Sequence, residues 1–523
     1  MKPTFKDILS KTRRLLPMLA AVASLGAAAH AAVPGIQGPN FNLTANWAYL
    51  TQPDGQSLYS WGYGCTTGSV PTFNPVMPGN FCSAMQVPGP TLIVTEGTDF
   101  KVTLTNNLPT AAGNTSILFP GLSVSADPAT GTPGLLTQEA APGGSVTYTI
   151  HAPTAGTHSY YSGTDSDLQI EMGLFGAIVV LPGTPQSVCD AGLHLKNVQA
   201  ETANNETDFR LAHSAYSDPN TCYDREYLFQ FSEMDPAIHW QAQTQVERCG
   251  STVGCLHVST EPYHPAYFMI NGRSMPDDMD SNYAPEYPHQ PYNGNPHMHP
   301  GEQVLLRIIG QGRWQHPFHE HANHVRVLAR DGNLLLSPKG MLAGPALFTT
   351  TTTPGQTIDG IFYYTGRGLN WDMYGHNPAS QSGDANATLP CIPDANGYYT
   401  ADPTKINYFE WCQDHNKPLQ TAPTGDVAGY GPVTLPDPNI LFNGAWFGGS
   451  PYLGPDATVR AVGATGTTPP SGTVANPPSS EAGFAFMWHS HNEREITTNN
   501  AFPGGMMMMM LVDSREYVID ESK

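Results

Sequence analysis

The sequence predicts an all-β protein built from tandem β-sandwich domains. Charged residues fill only 13% of the 523 positions, while Gly (52) and Pro (48) are abundant. A turn-rich β protein has that profile and a helical bundle does not. Short segments of alternating apolar and polar residues recur along the chain, as half-buried strands require. The two stretches richest in chemistry place histidines two residues apart, which on a strand aims both imidazoles at one face.

Residues 1–31 read as an export signal. Lys2, Lys6, Lys11, Arg13 and Arg14 form a basic start, Leu15 to Ala29 is a short apolar run, and Ala29-His30-Ala31 is an A-x-A cleavage site. Thr12-Arg13-Arg14-Leu15-Leu16 also resembles a twin-arginine signal, with an ordinary secretory signal as the alternative. No other apolar run is long enough to span a bilayer. The expectation is a soluble exported protein: periplasmic, on the outer surface, or secreted. The net charge is −21 and becomes more negative when the basic leader is removed. Such a surface disfavours nucleic acid and anionic membrane, and attracts cations, including metal ions.

Residues 40–185 read as one β domain. Pro88 to Val94 and Asp99 to Leu108 are strands joined by a Glu96-Gly97 turn, Ser145 to Ile150 alternates, and Gly173 to Val180 is a buried closing strand. Residues 186–224 read as a linker. A second β domain, 225–516, has strands at Arg225–Phe231, Tyr267–Arg273, Gly301–Ile309 and His324–Ala329, and ends with Phe484–Trp488 and Met506–Val512. Within it, residues 376–435 are rich in Asn, Asp, Pro and Gly and read as a long insertion, and Thr465 to Ser480 as a low-complexity loop. The eight cysteines of an exported chain imply disulfides, and neighbour pairing (65–82, 189–222, 249–255, 391–412) is the simplest arrangement.

Two histidine clusters stand out: His316-Pro317-Phe318-His319-Glu320-His321-Ala322-Asn323-His324 and Trp488-His489-Ser490-His491-Asn492-Glu493-Arg494-Glu495. Together with Pro88-Gly89-Pro90-Thr91-Leu92-Ile93-Val94 and Gly173-Leu174-Phe175-Gly176, they resemble the motifs of the multicopper oxidase family, and the H-S-H pattern resembles its manganese-oxidising bacterial members. The resemblance implies cupredoxin-like Greek-key sandwiches and copper as cofactor. It implies that His316 matches a mononuclear-site histidine, and that His319, His321, His489 and His491 match two pairs of a trinuclear cluster. It also shows damage. Ser490 stands at the family's cysteine, and a hydroxyl cannot replace thiolate in blue-copper electron transfer. Glu495 stands at the second mononuclear histidine. In the N-terminal domain, Leu118, Pro120, Tyr161 and Gly163 stand at four cluster-ligand positions.

What remains suits one metal ion. His319, His321, His489 and His491 are its expected ligands, with His316, His324 and Glu495 as further donors; by strand parity Glu493 and Glu495 share the face of His489 and His491. Such a set accepts copper, and also manganese, iron or zinc. The alternative for these histidines is an ordinary surface or core role without metal. The methionine run 506–510 reads as strand packing, His297-Met298-His299 as a plain loop, and His376 as a residue that could approach the site. Two functions follow from this reading: an oxidoreductase acting on metal ions such as Mn(II), or a non-catalytic metal-binding or structural cell-surface protein. Ordinary laccase chemistry is not expected. Protein partners are not legible.

Overall fold

A computed structural model describes residues 33–66, 73–74, 82–364 (apart from 185, 204, 207, 209 and 300), 392–395, 399–402, 449–452, 483–513 and 518–519. The leader, the Cys391–Cys412 pairing, His376, the loop 465–480 and nearly all of the insertion lie outside these residues.

The described chain is mostly strand, arranged as two successive sandwiches. The first pairs two five-stranded sheets. One runs in the order Gly156–Tyr161, Phe175–Leu181, Leu92–Thr95, Gly35–Gln37, Phe73–Asn74; the other runs Ser57–Cys65, Asn40–Thr51, Thr98–Asn106, Ser145–Ala152, Ser123–Ala126. The Glu96-Gly97 turn therefore does not close a hairpin: it carries the chain from one sheet to the other, with Gly97 at φ 74°. Alternation along Ser145–Ala152 buries Val146, Tyr148, Ile150 and Ala152 in the core, together with Phe41, Leu43, Val102 and Leu104.

The second sandwich places Tyr267–Ile270, Arg225–Met234, Gln303–Gly310, Thr357–Tyr363 and Val325–Arg330 side by side in one sheet. The facing sheet runs His297–Met298, Met507–Asp513, Gly483–Ser490, His316–Glu320, Thr349–Thr352. Phe229, Phe231, Leu306, Ile308, Phe318, Phe362 and Trp488 fill its core. The methionine run packs as its alternation dictates: Met506, Met508 and Met510 lie in that core.

Three cysteine pairs are disulfides: Cys65–Cys82, Cys189–Cys222 and Cys249–Cys255. Two segments differ from their sequence readings. The stretch read as a linker carries a helix, Gly192–Ala203, and its Glu206 is ion-paired with buried Arg225 at 2.5 Å. His297-Met298 forms a short strand, and His299 is buried 2.7 Å from Glu206. A helix at Pro236–Cys249 was not anticipated, although its signals are local. Asp235 caps it by accepting from Ala237 N–H, Pro236 opens it and Gly250 ends it.

The two sandwiches are tied through buried polar groups. Thr157 of the first donates its N–H and hydroxyl to Asp359 of the second, at 3.1 and 2.6 Å. Asp359 also accepts from the Tyr216 hydroxyl and lies 3.9 Å from Arg307.

Candidate metal centre and its relatives

Strand register brings the two histidine clusters together. His316–Glu320 runs antiparallel to Gly483–Ser490 with His319 directly opposite His489. His321 and His491 follow just beyond their strand ends, so all four imidazoles meet at one end of the pair. Ring centroids are 4.6 Å apart for His319–His321, 5.1 Å for His319–His491, 5.1 Å for His321–His489 and 5.3 Å for His489–His491. His321 Nε2 and His489 Nε2 lie 3.1 Å apart. Trp488, beside His489, packs on Phe362 and donates its indole N–H to the His321 carbonyl at 3.0 Å. His319 and His489 are buried, whereas the His491 side chain is 52% exposed.

Burial, with adjacent His489 and His491, lowers His319 to a pKa of about 4, and burial lowers His489 too. Both are neutral at neutral pH, the form that offers a lone pair. The neighbouring rings lie edge to face, except His489 and His491, which are tilted at 41°. Among the described residues, no group of three or more His, Cys, Asp or Glu side chains has its donors set to hold a metal ion.

His324 stands apart from this group. Its ring packs on Phe348 at 5.3 Å, and Phe348 in turn touches His319 at 5.7 Å. Glu320, between the two upstream histidines, points into the protein. Burial raises it to about 8, and the Thr350 hydroxyl donates to it at 2.5 Å.

His316 and Glu495 form a second centre. The strand ends at Ser490, and residues 491–496 turn back, with Glu495 N–H donating to the Asn492 carbonyl at 2.8 Å. The parity that would align Glu493 and Glu495 with the histidines therefore does not apply. Glu493 stays exposed, 3.7 Å from His491. Glu495 folds beneath Ser490, whose hydroxyl donates to it at 2.5 Å, and Asn492 donates to its other oxygen at 2.9 Å. Glu495 Oε2 also lies 3.0 Å from His316 Nδ1, and Glu233 Oε2 lies 2.9 Å from His316 Nε2. Burial would lower the pKa of His316; hydrogen bonds to the two carboxylates overcome this and raise it to about 9. At neutral pH the ring is an imidazolium with both nitrogens donating, so neither offers a lone pair.

Glu233 extends the network. It accepts from Arg313 and Trp314 N–H and from the Tyr263 hydroxyl, which also reaches Glu171 of the first sandwich at 2.8 Å. Burial pushes Glu171 up to about 8. Met506 meets the same place through its backbone, bonded to Ser490 and Glu495. Glu233 and Glu171 were not anticipated. The available signal was a carboxylate inside the apolar run Tyr227-Leu228-Phe229-Gln230-Phe231-Ser232-Glu233-Met234.

The N-terminal positions are filled differently. Leu118 forms a bridge with Tyr161. A Cβ on Gly163 would come within 2.7 Å of Leu118 Cγ, so Leu118 occupies the room an imidazole there would need.

Residues 81–185 match the family model described as multicopper oxidase. This stretch is a multicopper oxidase domain. Among curated relatives, the chain is 29% identical to laccase 1 of Metarhizium acridum over 174 residues, 33% of this chain and 25% of that one. It is 37% identical to the multicopper oxidase MCE of Talaromyces pinophilus over 98 residues, 18% and 15% of the two chains. The matched part thus spans a quarter or less of these two relatives. A blue copper oxidase from Nitrosomonas europaea superposes with TM-score 0.44 at 14% identity, over 90% of this chain and 85% of that one.

The residues present do not fit all of the family's copper sites. A blue mononuclear site does not fit: Ser490 supplies no thiolate, and His316 has both nitrogens engaged by carboxylates. A trinuclear cluster lacks its N-terminal imidazoles. The chemistry of the donor set at His319, His321, His489 and His491 does fit a single borderline ion.

Proposed function

We propose that this exported multicopper-oxidase-like protein binds one transition-metal ion, copper or else manganese, iron or zinc, at His319, His321, His489 and His491. The observation that carries this is the register that sets His319 opposite His489 and packs its ring 4.6–5.7 Å from those of His321, His489 and His491. The rings must turn about their side-chain bonds to aim at one ion, and partly exposed His491 is the entry side. His324 is a peripheral donor beyond Phe348. His316 and Glu495 serve as a charge-paired support under Ser490, holding the His489–His491 backbone. A copper ion bound here supplies one-electron redox chemistry, and metal ions such as Mn(II) are the proposed substrates with dioxygen as oxidant.

A second reading has its own support. The buried His316 network leaves no electron-entry thiolate, which favours a non-catalytic metal-binding or structural protein of the cell surface. The leader-like N-terminus and three disulfides support export to the periplasm, outer surface or medium under either reading.

The test is metal content by mass spectrometry after loading mature protein with Cu(II), Mn(II) or Zn(II), beside the His489→Ala/His491→Ala variant. Stoichiometric metal that the variant loses supports the site; equal retention by both removes it. Oxygen uptake driven by Mn(II) then separates the catalytic reading from the binding one.

A further inference from the structure

An imidazole that binds an ion through one nitrogen turns the other to the protein, and the group met there fixes which nitrogen carries the lone pair. Three of the four clustered histidines meet a protein oxygen through the same atom. His489 Nδ1 lies 2.8 Å from the Ser490 carbonyl. A carbonyl only accepts, so this Nδ1 carries the proton and the neutral ring has its lone pair on Nε2. His319 Nδ1 lies 3.0 Å from the Thr349 hydroxyl oxygen. His491 Nδ1 lies 3.7 Å, an ion-pair distance, from Glu493 Oε1. The fourth ring meets the group through Nε2: His321 Nε2 is 3.1 Å from His489 Nε2. Two nitrogens bound to one ion, each at about 2.0–2.1 Å, stand roughly 3 Å apart.

Local structure explains both oxygens. The strand Thr349–Thr352 pairs with His316–Glu320, and Thr349 stands directly opposite His319. Alternation sends the next residue, Thr350, to the other face, where its hydroxyl donates to buried Glu320. Thr349 is therefore on the histidine face. Glu493 belongs to the turn after Ser490. That turn carries Glu495 under the sheet, where the Ser490 hydroxyl reaches it, and leaves the Glu493 side chain 74% exposed beside His491.

We propose that Thr349 and Glu493 are positioning residues: Thr349 accepts from Nδ1–H of His319 and Glu493 from Nδ1–H of His491, so that both rings, like His489, present Nε2 to the ion. This rests on one ion being bound by the four histidines. Neither Thr349 nor Glu493 touches that ion. Each holds the orientation and tautomer of its ring, and an acceptor on the outer nitrogen makes the inner one a stronger donor.

The test loads the mature full chain with Cu(II) as the probe and compares Thr349→Val, Thr349→Ser and Glu493→Ala with unmodified protein. Affinity is read by competition with a chromophoric chelator. The outer imidazole nitrogens are read by electron spin-echo envelope modulation of the bound Cu(II), whose frequencies respond to hydrogen bonding at those nitrogens. Thr349→Val and Glu493→Ala should each weaken binding about tenfold and change an outer-nitrogen frequency. Thr349→Ser, which keeps the hydroxyl, should restore both. Lower copper occupancy with unchanged frequencies is a fold defect and counts against the inference. If the unmodified chain holds copper that His489→Ala/His491→Ala loses, while Thr349→Val and Glu493→Ala leave affinity and frequencies as they were, the inference is overturned and the four-histidine site stands. If the double-histidine variant loses no copper, the site falls and the inference falls with it.

Discussion

His316 Nδ1 lies 3.0 Å from Glu495 Oε2, and neither side chain is exposed. With Glu233 on the other nitrogen, the ring is an imidazolium held between two carboxylates. Its pKa is raised from 6.5 to about 9. A group whose folded pKa is raised stabilises fully below its unfolded pKa, and that stability is lost as pH rises through the folded value. Denaturant unfolding from pH 6 to pH 10 should therefore show a loss on the order of 3 kcal/mol assignable to this group. In His316→Gln the same part of the pH profile should be flat; a wild-type profile without this loss contradicts the charged clamp.

The clamp also sets the cost of losing the ring. His316→Ala leaves Glu233 and Glu495 buried without their cation. Unfolding at pH 7 should show a destabilisation of about 3–5 kcal/mol. A change under about 1 kcal/mol would mean the carboxylates are already compensated elsewhere.

Ser490→Cys restores the family's sulfur but not its surroundings. His316 keeps both nitrogens engaged, and Glu495 still stands where the second imidazole would be. Copper-loaded Ser490→Cys should show no intense visible thiolate-to-copper band. If the single substitution turns the protein blue, the network is more yielding than its geometry implies.

Asp359 joins the two sandwiches through Thr157, Tyr216 and Arg307. Asp359→Ala removes the acceptor for three donors and exposes Arg307 to partial charge imbalance inside the protein. Thermal and denaturant unfolding should show a loss of about 3–5 kcal/mol. Additivity with His316→Ala checks whether these two ties act independently.

The disulfides should differ in weight. Cys189–Cys222 closes 33 residues and Cys249–Cys255 only 6. By chain entropy the longer loop stabilises by about 1.5 kcal/mol more. Comparing paired Cys→Ala variants by denaturant midpoint checks this.

Much of the chain was legible in its sequence. Alternation fixed the faces of Ser145–Ala152 and Met506–Met510, because burial on one side of a strand imposes a period of two. Among the described residues, three of the four expected neighbouring cysteine pairs are disulfides; Cys391 and Cys412 lie outside them. The helix Pro236–Cys249 was missed, although Asp235, Pro236 and Gly250 mark its start and stop.

By itself, the sequence determined the likeness to multicopper oxidases, the β architecture and the absence of a thiolate at Ser490, since these depend on residue identity and short spacing. Tertiary structure alone decided which groups share a site. Antiparallel register set His319 against His489, and the turn after Ser490 took Glu495 away from them. There it meets His316, 179 positions distant in the chain, and beyond it Glu233, 83 positions from His316. No local period encodes such a meeting. It follows from two sheets closing on one core, where a buried carboxylate must find a cation or a hydrogen-bond donor whatever its distance along the chain.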